Sequence, residues 1–211
     1  MSSEPHDPQR STSGSGKGHR TRSRILRAAI NRFGEAPYRN VSVSQIARDC
    51  DLTPAAVYAY FDSKSDLFDS ALHEDANRWT AAAFAATSDP ERPITEAFGH
   101  LIVGLPDHPL VSRVLKSGTT DQLRSLLANE SIATLTDSIE AGVKERQAAG
   151  FASGRSARDL AVGTETIVFS LLTTIVRVGL EGDPGRVRGV QAVFDVAFGP
   201  PGAVPSNEAD A

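Results

Sequence analysis

Two helix-start signals lie close together between Ser42 and Phe61, and they constrain the fold more than any other feature of the chain. Ser42 can cap a helix, and Gln45 stands at the capping-box spacing from it. Ile46 and Ala47 give that helix a small apolar face. It must stop near Cys50, because Thr53 is a good N-cap and Pro54 suits a first helical position that needs no amide hydrogen. A tight turn between the helices asks Asp51 to adopt a left-handed backbone, which Asp tolerates and Gly would adopt more easily. The second helix, about Pro54 to Tyr60, is short and aromatic. Val57 and Phe61 are spaced to bury, which leaves Ala55, Ala56, Tyr58 and Tyr60 around the remaining surface. A basic helix precedes this pair and a helix capped by Ser63 follows it. That is the layout of a helix-turn-helix nucleic-acid reader.

The charge distribution fits such a reader. The chain of 211 residues has a net charge of -4, but residues 1–60 hold nine Lys and Arg against five acidic residues. That end is +4 and the remainder therefore -8, so one face suits a polyanion. Arg20, Arg22 and Arg24 crowd the start of the first helix, where the helix dipole disfavours cations and a nearby phosphate would offset the penalty.

The rest of the sequence reads as helices with polar joints. Residues 1–19, rich in Ser, Gly, Pro and charge, are expected to be a disordered tail. Apolar periodicity predicts helices over about Thr21–Phe33, Lys64–Ala86, Ile94–Gly104, Pro109–Ser117, Asp121–Ala149, Ala157–Leu180 and Pro184–Phe198. A Pro-rich tail follows from Gly199. The fold class is therefore all-α. The predicted division is a tail (1–19), a helix-turn-helix domain (20–64), a second helical domain (65–198) and a flexible C-terminus (199–211).

Other chemistries find little support. Ser13-Gly14-Ser15-Gly16-Lys17-Gly18 lacks the first Gly of a phosphate loop and any Ser or Thr after Lys17. There is no Gly-x-Ser-x-Gly elbow, and the five histidines lack metal-ligand spacing. The lone Cys50 reads as a small buried residue and excludes an internal disulfide, which suits a reducing cytoplasm. The longest apolar stretch, Leu160 to Leu180, contains Glu165 and Arg177 and is a poor membrane span. No cofactor, no metal and no membrane are expected.

The residues also carry a resemblance. Arg24-Ile25-Leu26-Arg27-Ala28-Ala29, Phe33-Gly34, Val41-Ser42-Val43-Ser44-Gln45-Ile46-Ala47 and Thr53-Pro54-Ala55-Ala56-Val57-Tyr58-Ala59-Tyr60-Phe61-Asp62-Ser63-Lys64-Ser65-Asp66-Leu67 together resemble the DNA-binding domain of TetR-family regulators, over about residues 20–79. Asp51 stands where that family often has Gly, and Pro54-Ala55 where a Lys-Gly pair is frequent, which removes one basic contact. The resemblance implies double-stranded DNA as partner, with the helix from Pro54 in a major groove. Gln45, Thr53, Pro54, Ala55, Ala56 and Tyr58 would lie at the DNA. Ser42, Ser44, Tyr60, Lys64, Arg22 and Arg24 would hold phosphates.

It implies further that the second domain holds a small-molecule effector and forms a homodimer. Candidate lining residues are Trp79, Phe84, Phe98, Ile102, Leu115, Leu135, Glu165 and Phe169; most are apolar, which suggests a largely apolar effector. Glu165, a carboxylate in an apolar helix, must meet a buried donor, a cationic ligand or a partner subunit. The helix from Ala157 is apolar on too many sides for a surface helix. With the last helix it offers Ile167, Leu171, Ile175, Val178, Val190 and Phe194 as a dimer seam. The expectation is a cytoplasmic, ligand-responsive repressor of a near-palindromic operator. The competing reading is a small-molecule carrier or small helical enzyme that does not bind DNA.

Overall fold

A computed structural model of the chain describes residues 13–88, 93–148, 150, 154–179, 185–186, 188–190 and 192–193. The fold is all-α, and the described residues contain no strand. The helices are α1 (Ser13–Glu35), α2 (Val43–Asp49), α3 (Pro54–Tyr58), α4 (Lys64–Ala85), α5 (Pro93–Gly104), α6 (Pro109–Ser117), α7 (Thr120–Leu127), α8 (Glu130–Ala148) and α9 (Ala157–Val178). Two compact units divide at Ala71–Leu72, inside α4, rather than after Lys64 as the sequence suggested.

In the first unit, Ile25, Ala29 and Phe33 of α1, Ile46 of α2, Val57 of α3, Phe61 and Leu67 are all buried. Phe33 stacks on Tyr38 with ring centres 5.8 Å apart, and Phe68 meets both edge-on at 5.1 and 5.2 Å. Such edge contacts favour the ring quadrupoles and fix the start of α4 against α1. Cys50 is buried here too, its thiol directed at the Arg24 carbonyl. Burial pushes that thiol's pKa up, which keeps it protonated and unreactive.

α1 starts at Ser13, earlier than the apolar pattern predicts. Lys17, His19 and Arg20 in its first turns are exposed, with local bonds from Arg20 Nε to the Gly16 carbonyl and from Thr21 Oγ1 to the Lys17 carbonyl. Periodicity cannot locate a turn that buries nothing. Residues 1–12 and 194–211 lie outside the described residues, and with them most of the expected N-terminal tail, the C-terminal tail and Phe194; residues 13–19, expected to be disordered, are helical.

The second unit holds α5–α9 and the later part of α4. α8 and α9 pack lengthwise through Leu135, Ile139, Val143 and Ala161. α9 turns Val168, Leu172, Ile175 and Val176 inward and ends at Gly179, which adopts the left-handed cap (φ 75°). The Arg177 guanidinium donates to the Leu115 and Gly118 carbonyls, placing a cation at the C-terminal end of α6. By length and composition α9 could cross a membrane, with a mean hydropathy of 1.5 in its most apolar window. Within this unit it packs against α6 and α8.

The single helix predicted over Asp121–Ala149 is two, because Asn129 intervenes. Its side-chain oxygen accepts from the Ser131 amide at 2.7 Å and its amide group donates to the His73 carbonyl at 3.3 Å. This buried residue caps α8 and ties the joint to α4. α6 has no cap of its own. Asp75 of α4, fully buried, accepts from the Leu110 and Val111 amides, both at 3.1 Å, and from His108 Nδ1 at 3.0 Å.

Candidate nucleic-acid interface and apolar cleft

The reader is built by local chemistry. Ser42 and Gln45 form the capping box: the Gln45 amide donates to Ser42 Oγ at 3.2 Å, and the Ser42 amide to Gln45 Oε1 at 2.8 Å. α2 ends in a Schellman motif, with the Leu52 amide on the Ala47 carbonyl (2.9 Å) and the Asp51 amide on that of Arg48 (3.1 Å). Asp51 sits at the left-handed position with φ 51°, the only non-glycine there among the described residues. Thr53 Oγ1 then caps α3 through the Ala56 amide at 3.2 Å, with Pro54 in the first turn.

α3 buries one residue, Val57. Pro54, Ala55 and Tyr58 are exposed, as are Thr53 and Tyr60, and Ala56 is half-buried. Tyr58 keeps 49 % of its surface in solvent. Helix α3 stops at Tyr58, so Tyr60 stands in the following turn rather than on the reading helix.

Around α3 lie the expected phosphate contacts. Ser42, Ser44, Arg22 and Arg24 are exposed, while Gln45 is half-buried and occupied by its capping role. Arg22 places its guanidinium over the Phe61 ring, 5.0 Å from its centre. Lys64 is less free than expected. Its ammonium donates to the Tyr38 carbonyl at 2.6 Å and lies 4.2 Å from the centre of the Tyr38 ring, and burial lowers its pKa. It can add a phosphate only with its remaining hydrogens. The sequence also gave no sign of Arg32, whose guanidinium grips Asp49 with two bonds (2.5 and 2.8 Å) and holds α2 on α1. That bond is the main reason the Asp49 carboxyl is held below the usual range.

In the second unit a narrow apolar cleft with about 20 Å³ of free volume lies among α4, α5, α7, α8 and α9. Of the expected lining residues it gathers Trp79, Leu135, Glu165 and Phe169, and adds Thr80, Leu101, Leu126, Leu127, Ile132, Val168 and Leu172. Four expected residues do not line it. Phe98, Ile102 and Leu115 are buried in the core, and Phe84 is exposed on the last turn of α4. Buried apolar residues of core and cleft look alike in sequence; only packing separates them.

Among the residues expected to form a dimer seam, Ile175 is buried within its own subunit, at 4 % exposure, and is corrected to a core residue. Ile167 and Val178 are exposed, while Leu171 and Val190 are half-buried. The broad apolar surface of α9 is thus two faces, one packed inward and one turned out.

Residues 25–71 match the family model of bacterial regulatory proteins of the tetR family. That likeness to the TetR family lies within the first unit. The chain is 27 % identical over 138 residues to the HTH-type transcriptional regulator UidR of Escherichia coli strain K12, an alignment covering 62 % of this chain and 68 % of UidR. The fold is that of NalD, the secondary repressor of the MexAB-OprM multidrug efflux pump in Pseudomonas aeruginosa, with TM-score 0.62, 20 % identity, and 88 % and 98 % of the two chains covered. It is equally that of FadR from Bacillus subtilis in complex with stearoyl-CoA, with TM-score 0.61, 17 % identity, and 83 % and 97 % covered. Both the matched family and this relative are transcriptional regulators, which favours that reading over a carrier or an enzyme.

Proposed function

We propose that this regulator is a cytoplasmic repressor that binds a near-palindromic operator as a homodimer and is released by a small, largely apolar effector held in the cleft. The observation that carries the DNA reading is α3, a capped helix that buries only Val57 and leaves Tyr58 in solvent beside Arg22 and Arg24. Major-groove readers present a short helix in this way, with base contacts on its exposed side and phosphate contacts from its neighbours. The outward face of α9, with Ile167 and Val178, supports a two-fold partner, since isolated proteins rarely leave such residues uncovered in line. The apolar cleft supports an effector whose binding favours one arrangement of the paired readers over another.

The test is a gel shift against DNA flanking the chain's own coding region. Tyr58→Ala should weaken operator binding by about tenfold or more, on the scale of a lost groove contact. Its circular dichroism should be unchanged, because Tyr58 packs against little. Equal affinity in a folded Tyr58→Ala protein would overturn the assignment.

A further inference from the structure

We infer that the outward face of α1 is a second DNA surface, a stripe of cations that holds the phosphates of the duplex flanking the half-site read by α3; this rests on the reading of the chain as a DNA-binding regulator. Lys17, Arg20, Arg24 and Arg27 are spaced three, four and three residues apart, so they share one face of α1, and all four are exposed. Ile25, Leu26, Ala29 and Phe33 occupy the opposite face and are buried. Arg22 lies on that inner side, with its guanidinium over the Phe61 ring, and so is directed away from the stripe.

The first unit supplies no counter-charge for the stripe. Each of its residues has another cation one turn away, an arrangement that weakens a helix. α1 has no acidic residue before Glu35, its last. None of the four cations joins an ion pair among the described residues. The groove lined by Arg24, Arg27 and Asn31 includes Asp49, but Arg32 takes both oxygens of that carboxylate. The first turns also carry Gly14, Gly16 and Gly18, which are poor helix formers. A helix written against both charge and propensity gains most from an anion laid along its face.

Duplex DNA fits that anion best. From Lys17 to Arg27 the stripe runs ten residue steps, about 15 Å at the helical rise, the axial length of about four phosphates on one strand. A lipid surface would need an apolar face beside the cations, and that of α1 is buried in the core of its own unit. An acidic protein would need an apolar anchor, and the exposed neighbours of the stripe are His19, Ser23 and Asn31. Contacts of this kind read charge and carry no base preference.

Lys17→Gln/Arg27→Gln removes the two ends of the stripe and spares Arg22 and Arg24. Both positions are exposed and Gln is a good helix former, so circular dichroism should show no loss of helix. Fluorescence anisotropy of the full chain is measured on two duplexes of equal length, the flanking-DNA fragment retained in the gel shift and a scrambled copy, between about 50 and 200 mM salt. The double variant should bind both duplexes about tenfold or more weakly, and its slope of log affinity against log salt should fall by roughly two per subunit. Tyr58→Ala should weaken binding to the flanking fragment alone. Unchanged affinity and slope in the double variant overturns the inference and leaves the regulator reading standing. The same holds if that variant keeps its DNA affinity but loses binding to phosphatidylglycerol vesicles, which assigns the stripe to a lipid surface. A loss confined to the flanking fragment also overturns it, because phosphate contacts do not tell sequences apart. Parent protein that binds neither duplex overturns the DNA reading and the inference together.

Discussion

Asp51 carries a conformational cost that its neighbours impose. The Schellman closure of α2 requires a left-handed residue between Cys50 and Leu52, and an Asp holds that place at φ 51°. The left-handed region crowds a Cβ against the following carbonyl, a strain glycine does not feel. Asp51→Gly should therefore stabilise the first unit by roughly 1 kcal/mol, read as a higher urea midpoint with an unchanged slope. A lower midpoint would mean that the Asp51 side chain contributes more than its backbone costs. This position, the capping box and the Thr53 cap were legible in the sequence because every partner lies within a few residues. The Lys64 ammonium was not, since what holds it is the Tyr38 carbonyl, 26 positions away. The same holds for Arg32, gripping Asp49 from another helix.

At the scale of elements, the least legible feature is the cap of α6. The limits of this helix follow from Pro109 and the apolar run behind it, and prediction and structure agree on Pro109–Ser117. Its cap comes from another helix: Asp75 serves the amides of Leu110 and Val111 and the ring of His108 from the middle of α4. An acidic residue in a helix interior reads as solvated surface, and nothing local announces that it is fully buried. Asp75→Ala would leave two amides and a ring nitrogen without their acceptor in a place closed to water. Each such orphan costs about 1–3 kcal/mol, so the loss should exceed about 3 kcal/mol and lower the unfolding midpoint of the second unit, read from Trp79 emission. A loss below 1 kcal/mol, on the order of an exposed cap, would show that water replaces the carboxylate. Asn129 is the opposite case. Asn ranks among the best N-caps, so the break between α7 and α8 was written locally, but continuous apolar spacing across it masked the signal.

At the scale of the whole molecule, sequence periodicity recognised that α9 is apolar on too many sides without resolving which side packs inward. Ile175, assigned to the subunit seam, packs inward, while Ile167 and Val178 turn out. The sequence shows how much apolar surface a helix has, and the position of its neighbours decides which half of it they cover. The lining of the apolar cleft was half legible for the same reason: Trp79 and Glu165 lie in it, while Phe98 and Leu115 belong to the core. The division of the chain into two units has an experimental consequence of its own. The chain has one cysteine and one tryptophan, and they fall in different units: Cys50 before the boundary at Ala71–Leu72 and Trp79 after it. Both are buried, so the unmodified chain already carries a chemical reporter for one unit and an optical reporter for the other. Alkylation of Cys50 and emission of Trp79, followed through the same urea series, should give two midpoints. The thiol should become reactive first, because the smaller unit has less apolar surface to bury. Coincident midpoints would show instead that α4, whose residues serve both cores, joins them into a single cooperative block.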